Sequence, residues 1–250
     1  MRAMFNLVLA ALFAMSPVMV SAAEFNDAQK KEMGSIIQEY LMENPEVLRD
    51  ALIELQKREE NLAAAAQGEA LKAAADGLYR SAGDFALGNP KASVAIVEFF
   101  DYNCGYCKKS YPDVRKLAEV DKDIRIVLKE FPILGPGSVV AAKAAIAARK
   151  QGKYWELHQA YMEFQGQKDE KTALAIAAKV GLDMVQLEKD MNDPQVIEIL
   201  SQNREIANAL GIQGTPAFVA GETLIPGAVG YDGLASLIKD IRDKGGCKVC

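Results

Sequence analysis

Histidine, tryptophan and cysteine are scarce in this 250-residue chain, which has one His, one Trp and four Cys. Four cysteines are too few to staple a small disulfide-built scaffold, and His158 alone cannot complete a zinc site. A basic excess is also missing. Lys and Arg number 29 against 34 Asp and Glu, a net charge of -5, which gives no support to a protein that neutralises phosphate backbones; no nucleic-acid partner is expected. Long apolar runs are absent too: Leu7 to Met15 is interrupted by Ser16-Pro17, short of the roughly 20 residues of a spanning helix. What remains is half hydrophobic and a quarter charged, enough to bury a full core.

Residues 1–23 combine Arg2, that apolar stretch, and small residues at Ser21-Ala22-Ala23, the layout of a cleavable secretory signal with cleavage near Ala22 or Ala23. No cysteine lies near the cleavage site, so no lipid anchor is expected. The mature protein is expected to be exported and soluble, in a compartment where disulfides persist. A CxxC pair there reads as redox chemistry before zinc.

Residues 24–80 are alanine-rich and charged, with 12 acids and 7 bases, against 22 and 21 in the rest of the mature chain. Ile36, Ile37, Tyr40 and Leu41, then Leu48, Leu52, Leu55 and Leu62, follow a helical period on either side of Asn44-Pro45. Asn44 is expected to cap the second helix and Pro45 to open it. Such a helical arm cannot bury its stripe alone, so self-association is expected, the alternative being a packed extension.

From Gly83 the pattern becomes α/β. Val94 to Phe100 (VAIVEFF) reads as a central strand buried on both faces, Cys107 to Val120 as a helix kinked at Pro112, and Ile124 to Lys129 as a second strand. A helical block spans about 138–210. It is followed by a hairpin, Ala217 to Ala220 and Thr223 to Ile225, and a closing helix, Gly233 to Arg242.

Cys104-Gly105-Tyr106-Cys107 falls between a buried strand and a helix start, where free N–H groups and the helix dipole stabilise a thiolate. Cys104 is therefore the expected nucleophile, and Cys107, one turn on, resolves its mixed disulfides. Gly214-Thr215-Pro216 stands directly before a strand, where a proline marks a strand start and can adopt a cis bond. Glu98 is alone among the apolar residues of VAIVEFF; a buried carboxylate near a CxxC can take a proton from Cys107. His158 reads as an ordinary helix residue.

Strand, CxxC, helix and a distant Thr-Pro resemble the thioredoxin fold. With FDYNCGYCKKSYP, KEFPILGPGS and GIQGTPAF, the chain is similar to the DsbA-like thiol-disulfide oxidoreductases of the bacterial periplasm. The leading IIQEYLMENPEVLRDALIELQ resembles the N-terminal oligomerisation segment of the suppressor of copper sensitivity protein C (ScsC) group. The resemblance implies an α/β thioredoxin fold with a helical insertion, preceded by a helical oligomerisation arm. With the signal and the tail read from the residues alone, the expected layout is signal 1–23, arm 24–80, DsbA-like domain 81–243 with a helical insertion at about 138–210, and a flexible CxxC tail 244–250. In the site it implies Cys104 as exposed nucleophile, Cys107 as buried resolving cysteine and Glu98 as the acid beneath them. Gly105, Tyr106, Thr215 and cis-Pro216 would meet the substrate. DsbA itself carries Pro-His between its cysteines; Gly105-Tyr106 supplies no imidazole, which implies weaker oxidising power. The arm weighs toward a trimeric disulfide isomerase acting on exported proteins with cysteines and recycled by a membrane-bound thiol reductase, with no organic cofactor or metal required. A dithiol oxidase is the alternative, and a periplasmic copper-binding protein the alternative from another class. Cys247 and Cys250, outside the resemblance, read as a second redox pair that exchanges with Cys104, a soft-metal ligand pair for an ion such as Cu(I), or a bystander tail.

Overall fold

The structure is a computed structural model in which residues 25–250 are described. The expected secretory signal, 1–23, lies outside them. The chain divides into two compact units, one up to Glu59 and one from Glu60 to Cys250.

In the first unit α1 (Asp27–Glu43) starts at a capping box: the Asn26 side chain accepts from the Gln29 amide at 2.9 Å, and the Gln29 side chain accepts from the Asn26 amide at 3.0 Å. Pro45 opens α2 (Pro45–Ala73), where its missing N–H has no helical partner to lose. Asn44 departs from expectation. Its backbone and side-chain amides both donate to the Tyr40 carbonyl, at 2.9 and 2.8 Å, so it closes the C-terminus of α1 instead of capping α2. No residue of α1 is buried, and Ile36, Ile37, Tyr40, Leu48, Leu52 and Leu55 are each at least half exposed.

The second unit begins earlier than the expected boundary at 80. Leu71 and Leu78 are wholly buried, and Tyr79 reaches the Gly221 carbonyl at 3.1 Å, so the end of α2 and α3 (Ala75–Tyr79) belong to its core. The physical reason is side-chain size: the alanine run before Leu71 offers little area to bury, whereas these three residues offer much.

The sheet has the order β1-β3-β2-β4-β5, from β1 (Phe85–Gly88), β2 (Val94–Phe100), β3 (Ile124–Glu130), β4 (Ala217–Ala220) and β5 (Thr223–Pro226). β2 is central as expected, parallel to β3 and antiparallel to β4. The short edge strand β1, antiparallel to β3, was not legible in the sequence pattern. Alternation along β2 splits the core in two. Val94, Ile96 and Phe100 face one cluster, with α4 (Gly105–Val120) and the inserted helices; Ala95, Val97 and Phe99 face the other, with Leu71, Leu78 and Tyr79. Pro112 lies inside α4 without ending it.

The helical insertion comprises α5 (Pro136–Ala148), α6 (Tyr154–Glu163), α7 (Glu170–Lys179), α8 (Met184–Asp190) and α9 (Pro194–Ala209), and α10 (Gly230–Asp243) closes the fold. A Cβ at Gly137 would strike the Lys168 carbonyl, so only glycine lets α5 start this close to the 165–169 loop.

Candidate active site

β2 ends at Phe100, and four residues later Cys104 is the N-cap of α4. Asp101 fixes the intervening loop. Its carboxylate accepts from the Asn103 amide (2.7 Å), the Ile133 and Leu134 amides (2.8 and 2.9 Å) and the Ser138 hydroxyl (2.7 Å). Asn103 is clamped in turn: its side chain donates to the Lys168 carbonyl at 3.0 Å and accepts from the Lys168 amide at 2.7 Å. The Lys168 ammonium donates to the Tyr102 carbonyl at 2.7 Å; burial first, and the nearby Lys108 charge second, lower its pKa to about 7. None of these three residues was singled out in the sequence. The signal available was the polar Asp101-Tyr102-Asn103 between a fully buried strand and a helix, since polar groups placed there must find partners.

Both cysteines are free thiols. The Cys107 amide donates to the Cys104 sulfur at 3.4 Å, and the Cys104 thiol donates to the Thr215 carbonyl at 3.1 Å. Cys104 is depressed to about pKa 5, chiefly by the hydrogen bond from the Cys107 thiol, opposed by burial and aided by the Thr215 side chain and the Cys107 and Tyr106 amides. Burial, the bond to Cys104 and the Glu98 charge push Cys107 far up. One sulfur is thus poised as a thiolate and its neighbour holds a proton. Cys104 is less open than expected, only 6% exposed against 0% for Cys107, because its sulfur is tucked between the start of α4 and the Thr215 loop.

Glu98 lies opposite Leu128 and Phe218 in the sheet, on the face of β2 that meets the cysteines, and is 2% exposed. One carboxyl oxygen is buried with no hydrogen-bond partner. Burial, then the Cys104 charge, raise its pKa to about 8.

The Thr215–Pro216 peptide bond is cis. A cleft of about 330 Å³ lined by residues 211–217 and the end of β5 lies on this loop, and one of about 470 Å³ runs along Asn103, Gly105, Lys108 and Gln165 to Gln167. Gly105 and the 67% exposed Tyr106 form the first turn of α4. The sequence-derived residues Glu98, Cys104, Gly105, Tyr106, Cys107, Thr215 and Pro216 therefore come together at one end of the sheet.

His158 is buried among Phe100, Tyr102, Tyr111, Tyr154 and Trp155, with Nδ1 3.1 Å from the Tyr102 hydroxyl, and burial lowers its pKa to about 3. Cys247 and Cys250 stand apart from this site, joined by a disulfide. In that form they offer no thiolate to a soft metal. Among the described residues no cluster of three or more His, Cys, Asp or Glu is arranged to hold a metal ion.

A CxxC at the N-terminus of the helix following a central strand, faced by a cis-proline loop, defines a thioredoxin-fold protein with a redox-type dithiol. Residues 95–239 match the DSBA-like thioredoxin domain, and residues 29–61 match the copper resistance protein ScsC N-terminal domain. The chain belongs to the DSBA-like thioredoxin domain family. It is similar to a thioredoxin-like oxidoreductase from Silicibacter pomeroyi, with 43% identity and a TM-score of 0.66 over 67% of this chain and 97% of that one. It is also similar to Proteus mirabilis ScsC in a transitional conformation, with 33% identity and a TM-score of 0.63 over 88% of this chain and 98% of that one. The chain spans about a quarter of the length of the curated relatives it matches; the Na(+)/H(+) antiporter NhaA 1 of Salinispora arenicola is 29% identical over 62% of this chain and 24% of the antiporter.

Proposed function

We propose that the protein is a periplasmic thiol-disulfide interchange enzyme that works as a disulfide isomerase on exported proteins with cysteines. The observation that carries the exchange chemistry is the division of labour at the CxxC: Cys104 held near pKa 5 at the start of α4, Cys107 buried and protonated beside it. The Cys104 thiolate attacks one sulfur of a wrong substrate disulfide, a new S–S bond forms, and the other substrate sulfur leaves as a thiolate. A second substrate thiolate then attacks the substrate sulfur of the mixed disulfide, forming a rearranged substrate disulfide and returning Cys104 as a thiolate. Electrons balance without an external donor.

When the substrate stalls, Cys107 loses its proton and attacks the Cys104 sulfur, which frees a reduced substrate and leaves Cys104 bridged to Cys107. Glu98 is suited to receive that proton. Its pKa is raised partly by the Cys104 charge, and that charge vanishes once Cys104 is in a mixed disulfide, so Glu98 becomes a carboxylate more readily at the moment a base is needed. A membrane-bound thiol reductase returns two electrons to the bridged pair. Gly105, Tyr106, Thr215 and Pro216 border the substrate, residues 1–23 direct export, and the Cys104/Cys107 chemistry uses neither metal nor organic cofactor.

Isomerisation, as opposed to plain oxidation, is supported by the arm. The exposed stripe of Ile36, Ile37, Tyr40, Leu48, Leu52 and Leu55 is too apolar to stay in water, and a second copy of the chain supplies a matching face, with a trimer favoured. An assembly of several CxxC sites can hold a misbridged substrate while it rearranges. One observation favours the oxidase reading: thiolate stabilisation comes here from Cys107, Thr215 and backbone amides without an imidazole, and a stabilised reduced form makes a stronger oxidant. Trapping cellular thiols by alkylation decides between them. An isomerase is recovered with Cys104 and Cys107 mainly reduced; an oxidase is recovered with them bridged.

A further inference from the structure

The second CxxC is not the loose tail expected from Lys244-Gly245-Gly246. Gly245 and Gly246, at φ of 94° and 87°, turn the chain back after α10, and the Gly246 amide donates to the Ile241 carbonyl at 2.9 Å. Arg80 donates to the Val249 and Cys250 carbonyls at 3.0 and 3.4 Å. Val249 and Cys250 pack on the cluster below β2, with the Cys250 sulfur 3.4 Å from the Ala95 carbonyl. Cys247 lies over the β4–β5 turn, where a Cβ on Gly221 would come within 4.0 Å of its sulfur.

Three features speak for chemistry at this disulfide. The Cys250 amide donates to the Cys247 sulfur at 3.1 Å, the same relation that joins the Cys107 amide to Cys104 at 3.4 Å, so Cys247 has a thiolate-stabilising donor. Both cysteines are partly exposed, so an incoming thiol can reach them. A bridge across two intervening residues also closes the shortest of loops, where the restriction of the unfolded chain is smallest, which leaves little structural reason for it.

The pair is also separated from Cys104. Cys104 and Cys107 belong to the cluster on the even-numbered face of β2, Cys250 to the odd-numbered one. Cys250 lies at Ala95, near the start of β2, whereas Cys104 follows its end; Ala95 to Phe100 alone spans about 17 Å of strand. The sheet stands between the two sites, so the exchange with Cys104 expected from the sequence cannot take place within one folded chain.

We propose that Cys247 and Cys250 form a second thiol-disulfide exchange site, independent of Cys104 and Cys107, whose substrate is the dithiol of another protein chain. A donor thiolate attacks the Cys247 sulfur; the bond to Cys250 breaks, and Cys250 leaves as a thiolate and takes a proton. The donor's second thiolate then attacks the donor sulfur of the mixed disulfide and releases the Cys247 thiolate, which the Cys250 amide receives. Two electrons pass from the donor dithiol, which ends as a disulfide.

The test uses the full chain with Cys104→Ser and Cys107→Ser, equilibrated in glutathione redox buffers, with thiols counted by alkylation and mass spectrometry. The expected result is reversible release of two thiols together while the fold, read by circular dichroism, is unchanged, and a stable glutathione adduct at Cys247 when Cys250→Ser is added. A pair that stays bridged until the chain is unfolded, or that never bridges under oxidising buffer, overturns the proposal. With the arm's self-association broken by Leu48→Glu and Leu52→Glu and all four cysteines kept, reduction of the 247–250 pair by Cys104 and Cys107 is expected to be second order in protein. A rate independent of protein concentration contradicts the separation of the two sites.

Discussion

The sulfur of Cys104 lies 3.1 Å from the carbonyl oxygen of Thr215, 111 residues further along the chain. While Cys104 is a thiol it donates to that oxygen. On ionising it loses this bond but keeps the Cys107 thiol, the Thr215 side chain and two amides as donors, which together hold it near pKa 5. The thiolate absorbance of the reduced protein is therefore expected to titrate with a midpoint near pH 5, with the rate of attack on a model disulfide falling about tenfold per pH unit below it and flat above it. Thr215→Val, which removes the hydroxyl and keeps the carbonyl, should raise the midpoint by about 1.

The same depressed pKa has a sign in stability. The folded protein binds this proton less tightly than the unfolded chain, so Cys104 contributes stability above the unfolded thiol pKa of about 8.5, and that contribution is lost as pH falls through 5. Urea denaturation of the reduced protein against Cys104→Ser should show the wild-type advantage growing from pH 5 to pH 9.

Glu98 runs the other way. Its folded pKa of about 8 lies above the unfolded value of about 4.3, so the folded state holds the proton and stability declines as pH rises between the two. Glu98→Gln should remove that decline, making the variant the more stable protein above pH 8. It should also slow the Cys107 attack by about 10²-fold while leaving the Cys104 attack nearly unchanged, so mixed disulfides accumulate in stopped-flow and quench experiments.

Asp101→Ala should leave the Asn103, Ile133 and Leu134 amides and the Ser138 hydroxyl without their acceptor. The expected loss is about 3 kcal/mol of unfolding free energy, because these bonds are made to a carboxylate and two of the four, from the Asn103 amide and the Ser138 hydroxyl, are buried. The Cys104 titration should broaden or move upward as its loop loosens.

Leu48→Glu with Leu52→Glu places charge on two exposed residues of the arm, so the fold of each chain is expected to survive. Sedimentation should then show a smaller assembly than the wild type, with Cys104 reactivity toward a small disulfide unchanged. An unaltered mass would remove this stripe from the association surface.

Much of this architecture was legible because its signals are local. VAIVEFF could only be a buried strand, the CxxC after it marked a helix start, and Thr-Pro before a strand marked the facing loop. Glu98 stood out because a carboxylate is costly in such a strand. The Asp101, Asn103 and Lys168 clamp was hidden because its partners lie about 30 to 65 residues apart and each residue alone is ordinary. β1 escaped because four residues at a sheet edge carry too little pattern. The end of the arm was misplaced because helical periodicity looks the same in α2 whether the next neighbour is water or the sheet, and Leu71 reveals its burial only in three dimensions.

Recovery of scrambled, disulfide-mispaired ribonuclease tests the central claim most directly, comparing the unsubstituted protein, Cys104→Ser, and the Leu48→Glu, Leu52→Glu variant. The account predicts that the unsubstituted protein restores ribonuclease activity, that the arm variant restores much less, and that Cys104→Ser restores none. Failure of the unsubstituted protein on the scrambled substrate, with ready oxidation of reduced ribonuclease, would contradict it and make the protein a dithiol oxidase.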